Sequence, residues 1–194
     1  MEYNQIIKYN LNQNKFPLTK KFDSNEINDN KQEMTFRSWD PSRSSLSAAV
    51  TCGLEIIPIN ETSSLLYIGK LYFSESLNLL DLVRNKKKIF CMSETNLKLP
   101  KQENLVKINK LTAIQNQRFS VIYIDCPNYS YESIIEISNL YLENTGYLII
   151  QYLKLTKNSD NFFKNISKKF QVIQEVNIES FFKNKSLMLL KTRD

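Results

Sequence analysis

The sequence predicts an α/β fold with a mostly parallel sheet covered on both faces. From Leu65 onwards, apolar runs alternate with amphipathic, helix-like stretches. Runs such as "LLYI" (65–68) and "YLIIQYL" (147–153) are largely apolar rather than alternating, as in strands buried on both sides. The last two runs, "QVIQEVNI" (171–178) and "SLMLLKT" (186–192), have no helix between them and read as an antiparallel edge pair.

Taken in order, residues 1–35 are polar and Asn-rich, a partly ordered extension of two or three strands. Asp40-Pro41 reads as a helix N-cap followed by a first-turn proline. Leu46, Ala49 and Val50 then recur at helical spacing, and Gly53 ends the helix. Leu65–Ile68 is a strand and Ser74–Val83 a helix. "RNKKK" (84–88) is a charged turn before a strand at Ile89–Met92. Leu105–Ile108 is a short strand, and Phe119–Cys126 a buried strand carrying an acid, Asp125, near its end. Tyr131–Asn144 is an amphipathic helix, and Thr145-Gly146 turns the chain into the 147–153 strand. Asp160–Phe170 is the last helix. This layout fits a seven-stranded methyltransferase-type sheet. A flavodoxin-like order is the alternative that periodicity leaves open. The domain reading is an extension (1–35) and one α/β domain (36–194).

The chain has 194 residues and no run long enough for a membrane span. Its start, "MEYNQIIKYNLNQNK", has no apolar signal core, so the expected location is intracellular. Cys52, Cys91 and Cys126 each lie in apolar surroundings and read as buried free thiols. There is no histidine, which excludes an imidazole base and most zinc sites. A net charge of +6 suits a polyanion, with an Asn/Lys-rich composition as the bland alternative.

The stretch "FRSWDPSRSSLSAAV" (36–50) resembles fibrillarin, the RNA-guided 2′-O-methyltransferase family of box C/D ribonucleoproteins. That family carries aromatic-Arg-x-Trp-Asn-Pro-x-Arg-Ser-Lys-Leu-x-Ala-Ala before its first core strand. Phe36, Arg37, Trp39, Pro41, Arg43, Ser44, Leu46, Ala48 and Ala49 match in register. Downstream, "LLYIG", "SVIYIDC" and "NTGYLIIQYLK" match the family's first, fourth and fifth core strands. The resemblance implies a class I, Rossmann-like methyltransferase fold with a reversed C-terminal strand.

It also implies a chemistry that this chain has partly lost. The family's S-adenosylmethionine loop is built of small residues after the first core strand. Here Gly69 is kept, but Lys70, Leu71, Tyr72 and Phe73 follow. A bulky residue where positive φ is needed is unfavourable. Either the loop takes another path, or the aromatics fill the vacated pocket, which is the expectation favoured here. The acid for the cofactor ribose falls on Ser93, with Glu94 one place later, and a further acid falls near Leu111. The family's reaction centre resembles a Lys-Asp-Lys-His set. Its members fall on Ser45, Asp125, Leu153 (with Lys154 adjacent) and Lys185. One step along a strand reverses a side chain's face, so Lys154 serves only with a bulge.

The candidate catalytic residues are therefore Asp125, Lys154 and Lys185, and the candidate cofactor residues Gly69 and Glu94. Arg37 and Arg43 are the candidate RNA contacts, with "RNKKK" and "KNISKK" (164–169) as basic runs. The resemblance implies a Nop-domain scaffold protein, guide RNA and rRNA as partners. It implies a nucleolar location, or the cytoplasm for an archaeal chain. The expected function is a fibrillarin-like ribonucleoprotein subunit with catalysis weakened or lost, S-adenosylmethionine being bound only if it is active. An active, divergent methyltransferase and a protein-interaction module without RNA contact are the alternatives.

Overall fold

In the computed structural model, residues 6–11, 14–20, 36–84, 87–93, 99–125, 129–153 and 159–193 are described. The extension contributes β1 (Ile6–Leu11) and β2 (Asn14–Lys20) to a three-stranded antiparallel sheet completed by β3 (Phe36–Ser38). The boundary read at 35/36 thus falls at the start of a strand that pairs with the extension. The remainder contains α1 (Ser45–Thr51), β4 (Leu65–Gly69), α2 (Phe73–Val83), β5 (Ile89–Met92), β6 (Leu105–Lys107) and β7 (Phe119–Asp125). α3 (Tyr131–Tyr141), β8 (Leu142–Leu153), α4 (Ser159–Lys169), β9 (Phe170–Asn177) and β10 (Lys185–Thr192) complete it.

The seven-stranded sheet runs β6-β5-β4-β7-β8-β10-β9. Pairings from β6 through β8 are parallel, and β10 is antiparallel to both neighbours. Counted from β4, this is a 3-2-1-4-5-7-6 order, which separates it from the flavodoxin-like 2-1-3-4-5 arrangement.

Both faces are apolar because successive side chains point to opposite sides. Leu65, Tyr67, Val121 and Tyr123 face one core with Trp39, Leu46 of α1 and Leu79 of α2. Leu66, Ile68, Ile122 and Ile124 face the other, with Ile134 and Ile137 of α3 and Ile166 of α4. Trp39, 1% exposed, is the largest side chain buried in the first core and stabilises it by roughly 2–3 kcal/mol.

The small sheet is fixed to α2 by polar contacts. Thr19 Oγ1 donates to Asn78 Oδ1 at 2.7 Å, and Arg37 Nε donates to Asp81 Oδ2 at 2.8 Å. The Trp39 amide bonds the Pro17 carbonyl at 3.0 Å.

Several boundaries differ from expectation. Asp40 does not cap a helix. Its Oδ1 accepts from the Ser42 amide at 2.9 Å, closing a turn over 41–43. Ser44 is the true N-cap of α1, with Oγ accepting from the Ser47 amide. α3 stops at Tyr141 rather than Asn144, because the next residue, Leu142, already pairs with Phe119. The β7–β8 register then shifts before Tyr147. A Cβ on Gly146 would lie 2.7 Å from Leu142 Cδ1, so a larger residue in this irregular segment would require Leu142 to shift. α2 and α4 each begin one residue earlier than read, at Phe73 and Ser159, and α4 ends one earlier, at Lys169. β6 likewise stops at Lys107. Cys91 is buried as expected, Cys52 is exposed, and Cys126 lies outside the described residues.

Gly69 is the tightest point. Its φ is +143°, and a Cβ there would sit 2.5 Å from the Asp125 carbonyl oxygen on the neighbouring strand. Strain and overlap act together, so Gly69→Ala is expected to lower the unfolding free energy by about 2–4 kcal/mol. Urea denaturation checks this. A loss below about 0.5 kcal/mol would show that β4 and β7 can part at little cost.

Candidate functional site

The strand order reverses between β4 and β7, both of which have crossovers leaving their C-terminal ends. That end of the sheet is where a ligand crevice forms in such folds. Gly69 and Asp125 are register partners there. The N-termini of α1 and α2 approach the same point, since Ser44 Oγ donates to Glu75 Oε1 at 2.7 Å.

A buried hydroxyl–carboxyl network results. Ser45 Oγ donates to Asp125 Oδ1 at 2.6 Å, and Tyr67 OH donates to Asp125 Oδ2 at 2.8 Å. Tyr123 OH bonds Ser45 Oγ in turn. Glu75 Oε2 stands 3.4 Å from Tyr67 OH. The Tyr67 and Tyr123 rings meet edge to face at 4.9 Å.

Burial, and then the Asp125 charge, push the Glu75 carboxyl well above its ordinary value, against the Ser44 and Tyr67 hydrogen bonds. Burial raises Asp125 too, opposed by the Ser45 and Tyr67 bonds and by the charge of Lys185. Burial and the two carboxylates raise both tyrosines. Two acids in one dry pocket cannot both ionise cheaply.

The expected site residues fare differently. Asp125 and Lys185 are brought within electrostatic reach, and Lys185 Nζ donates to Gln151 Oε1 at 3.2 Å. Lys154 and Glu94 lie outside the described residues. Leu153, in register for the family's second lysine, ends β8 opposite Lys185. Gly69 keeps its close approach to β7.

Arg37 is held by Asp81, only 5% exposed, and so belongs to the packing of the small sheet. Arg43 is not on a helical turn as expected. It sits on the turn before α1, 65% exposed, with Asp40 Oδ2 3.5 Å away. In "RNKKK", Arg84 pairs with Glu61 at 3.0 Å.

The loop corrects another expectation. Leu71 is fully buried, but Tyr72 is an extended N-cap and Phe73, at the first position of α2, is 51% exposed. The aromatics do not fill a pocket together. The loop takes the other path, with no positive φ at Tyr72 or Phe73.

Tyr67, Tyr123, Glu75, Ser44 and Gln151 were not foreseen. Period two offered a signal for the tyrosines, which stand two residues before Gly69 and Asp125 and so share their face.

The sheet order and the crevice at its reversal define a class I methyltransferase-type fold. The chain matches the family model for Fibrillarin over residues 2–194, and it belongs to the fibrillarin family. It is 26% identical over 178 residues to the fibrillarin-like rRNA/tRNA 2′-O-methyltransferase of Pyrococcus horikoshii, covering 80% of this chain and 78% of that one. Aeropyrum pernix fibrillarin with natively bound S-adenosyl-L-methionine has the same fold, with TM-score 0.76 and 14% identity over 95% of this chain and 92% of that one. So does a chain of a fibrillarin/Nop5p complex, with TM-score 0.75 and 16% identity over 98% of each chain.

Because Glu75 and Asp125 are raised above their unfolded values, the folded state keeps protons that the unfolded chain releases. Their contribution to stability is therefore complete at acid pH. It is lost as pH climbs from the ordinary carboxylate range towards the raised folded values. Glu75→Gln is expected to stabilise the protein more at about pH 8 than at about pH 5. Urea melts across that range read the effect, and parallel wild-type and variant curves would contradict the shared-pocket reading.

Proposed function

We propose that this chain is a fibrillarin-type subunit of a box C/D-type ribonucleoprotein, seated on a Nop-domain scaffold against guide and target RNA, whose own methyl transfer is weakened or lost. The observation that carries this is the environment of Asp125. Each of its oxygens already accepts a protein hydroxyl, and where the resemblance implies a lysine stands Ser45. Among the described residues no ion pair reaches Asp125. A carboxylate so occupied is poorly placed to orient a ribose hydroxyl and favour its deprotonation.

The residues present also do not fit S-adenosylmethionine. Close approach to a nucleotide-type ligand needs small residues after the first core strand. Lys70, Leu71 and Tyr72 occupy that place, with Leu71 packed into the core and the Lys70 ammonium 4.9 Å from the centre of the Tyr72 ring. Subunit and RNA roles need fold, surface and charge, which remain. The Pyrococcus relative's name gives rRNA and tRNA as substrates, and the fibrillarin/Nop5p structure supports the scaffold partner.

One observation favours a second reading, an active and divergent enzyme: Lys185 still acts electrostatically on Asp125. Calorimetry decides between them. Titration with S-adenosylmethionine to about millimolar, alone and with a Nop-type partner, is expected to give no binding heat. Micromolar binding, together with methyl transfer to a guided RNA that Lys185→Ala abolishes, would establish the second reading instead.

A further inference from the structure

Along the edge formed by the strand ends opposite the Asp125 site stand cations from separate elements. The "KNISKK" run forms the end of α4, closing with Lys168 and Lys169. Arg193 follows β10. Its backbone N–H donates to the Lys169 carbonyl at 3.1 Å, and its Nε donates to the Phe170 carbonyl at 3.2 Å. Lys191, two residues earlier, holds its ammonium 5.7 Å from the centre of the Tyr147 ring. Arg118, just before β7, donates from Nη1 to the carbonyls of Asn139 and Leu142 at 2.6 and 3.1 Å. Lys191 and Arg193, with Gln171 and Thr192, line an open cavity of about 400 Å³.

Among the described residues none of these cations is in an ion pair. Burial, and then the neighbouring Arg118, hold the Lys169 ammonium below its ordinary value. Like charges with no acid paired to them repel one another and cost stability, a cost that a bound polyanion lowers. Arg118 and Arg193 are also fixed by carbonyls, so their ordering is complete before any ligand arrives.

The strip crosses the start of β7, the junction of α4 with β9 and the end of β10. Separated point charges in a strip suit a repeating row of phosphates, each neutralised phosphate releasing condensed counterions. We propose that this edge is a second RNA-contact surface, which tracks the phosphate backbone of an RNA duplex on the side of the molecule away from Asp125. The proposal rests on the ribonucleoprotein reading above and assigns that reading a particular face.

The test is equilibrium binding of a labelled short RNA duplex to the full chain between about 50 and 200 mM salt. Two variants are compared with wild type after thermal melts confirm folding: Lys169→Gln/Lys191→Gln/Arg193→Gln, and the milder Lys168→Gln/Lys191→Gln. The expected result is weaker binding and a slope of log affinity against log salt reduced by roughly two to three in the triple variant. The milder variant should lose roughly one to two. Unchanged slopes in both folded variants, with wild type still binding RNA, would overturn this inference alone. If the variants instead lose a Nop-type partner while their RNA slope is unchanged, the edge belongs to an acidic protein surface and the inference fails. No RNA binding by wild type, with or without that partner, would overturn both this inference and the reading it rests on.

Discussion

The architecture depends on one backbone approach, that of Gly69 to Asp125. Two parallel strands end side by side with no room for a Cβ between them. This closeness places Tyr67 and Tyr123 in edge-to-face contact one pleat below. It sets where the chain can leave β4, and so where α2 begins and where Glu75 enters the pocket. It also brings the Asp125 carboxyl beneath the first turn of α1. A larger residue at 69 would disturb the sheet, the loop and the hydroxyl network together, because all three share that contact.

The strands were legible because burial on both faces leaves a continuous apolar signature, and β4 and β7 follow it. Periodicity left the sheet order open, since the same alternation serves two windings; the resemblance implied the methyltransferase order with its reversed C-terminal strand, and the pairing bears it out. Local chemistry misled in two places. Asp40-Pro41 has the composition of a helix start, but Asp and Ser side chains also close turns, and the Asp40–Ser42 bond took that option. "YLEN" continues a helical pattern, yet Leu142 is claimed by Phe119 on β7, a tertiary pairing that no local pattern records. For the site, Asp125 was legible as an acid at a strand end. The hydroxyls that hold it were not, because Ser45 and the tyrosines read equally well as core.

The position of Phe73 has a similar lesson. In the sequence it is a bulky residue where the family resemblance implies glycine, which leaves either another path for the loop or aromatics that fill the pocket. The structure takes the first. A residue at the first position of a helix needs only ordinary helical angles, and its side chain can point outwards. Leu71, not the aromatic pair, supplies the burial. The loop is thus a conventional strand-to-helix connection in which close backbone approach is confined to Gly69.

The departures from the family pattern are better understood as one change than as several. Loop and first lysine look independent along the chain, since Glu75 and Ser45 lie on different elements from each other and from the retained Asp125. In space they form a single network: Ser44 binds Glu75, Ser45 binds Asp125, and Tyr67 stands between the two carboxyls. A cation at position 45 would hold Asp125 ionised. A serine satisfies the same oxygen without charge, and a second acid beside it then favours the protonated form of the pair. Once Glu75 is buried there, an ionised Asp125 becomes costly, and the hydroxyls become the better partners. Serine in place of the lysine that the resemblance implies therefore lowers the pressure to keep Asp125 charged, and Lys185 still acts on it from β10.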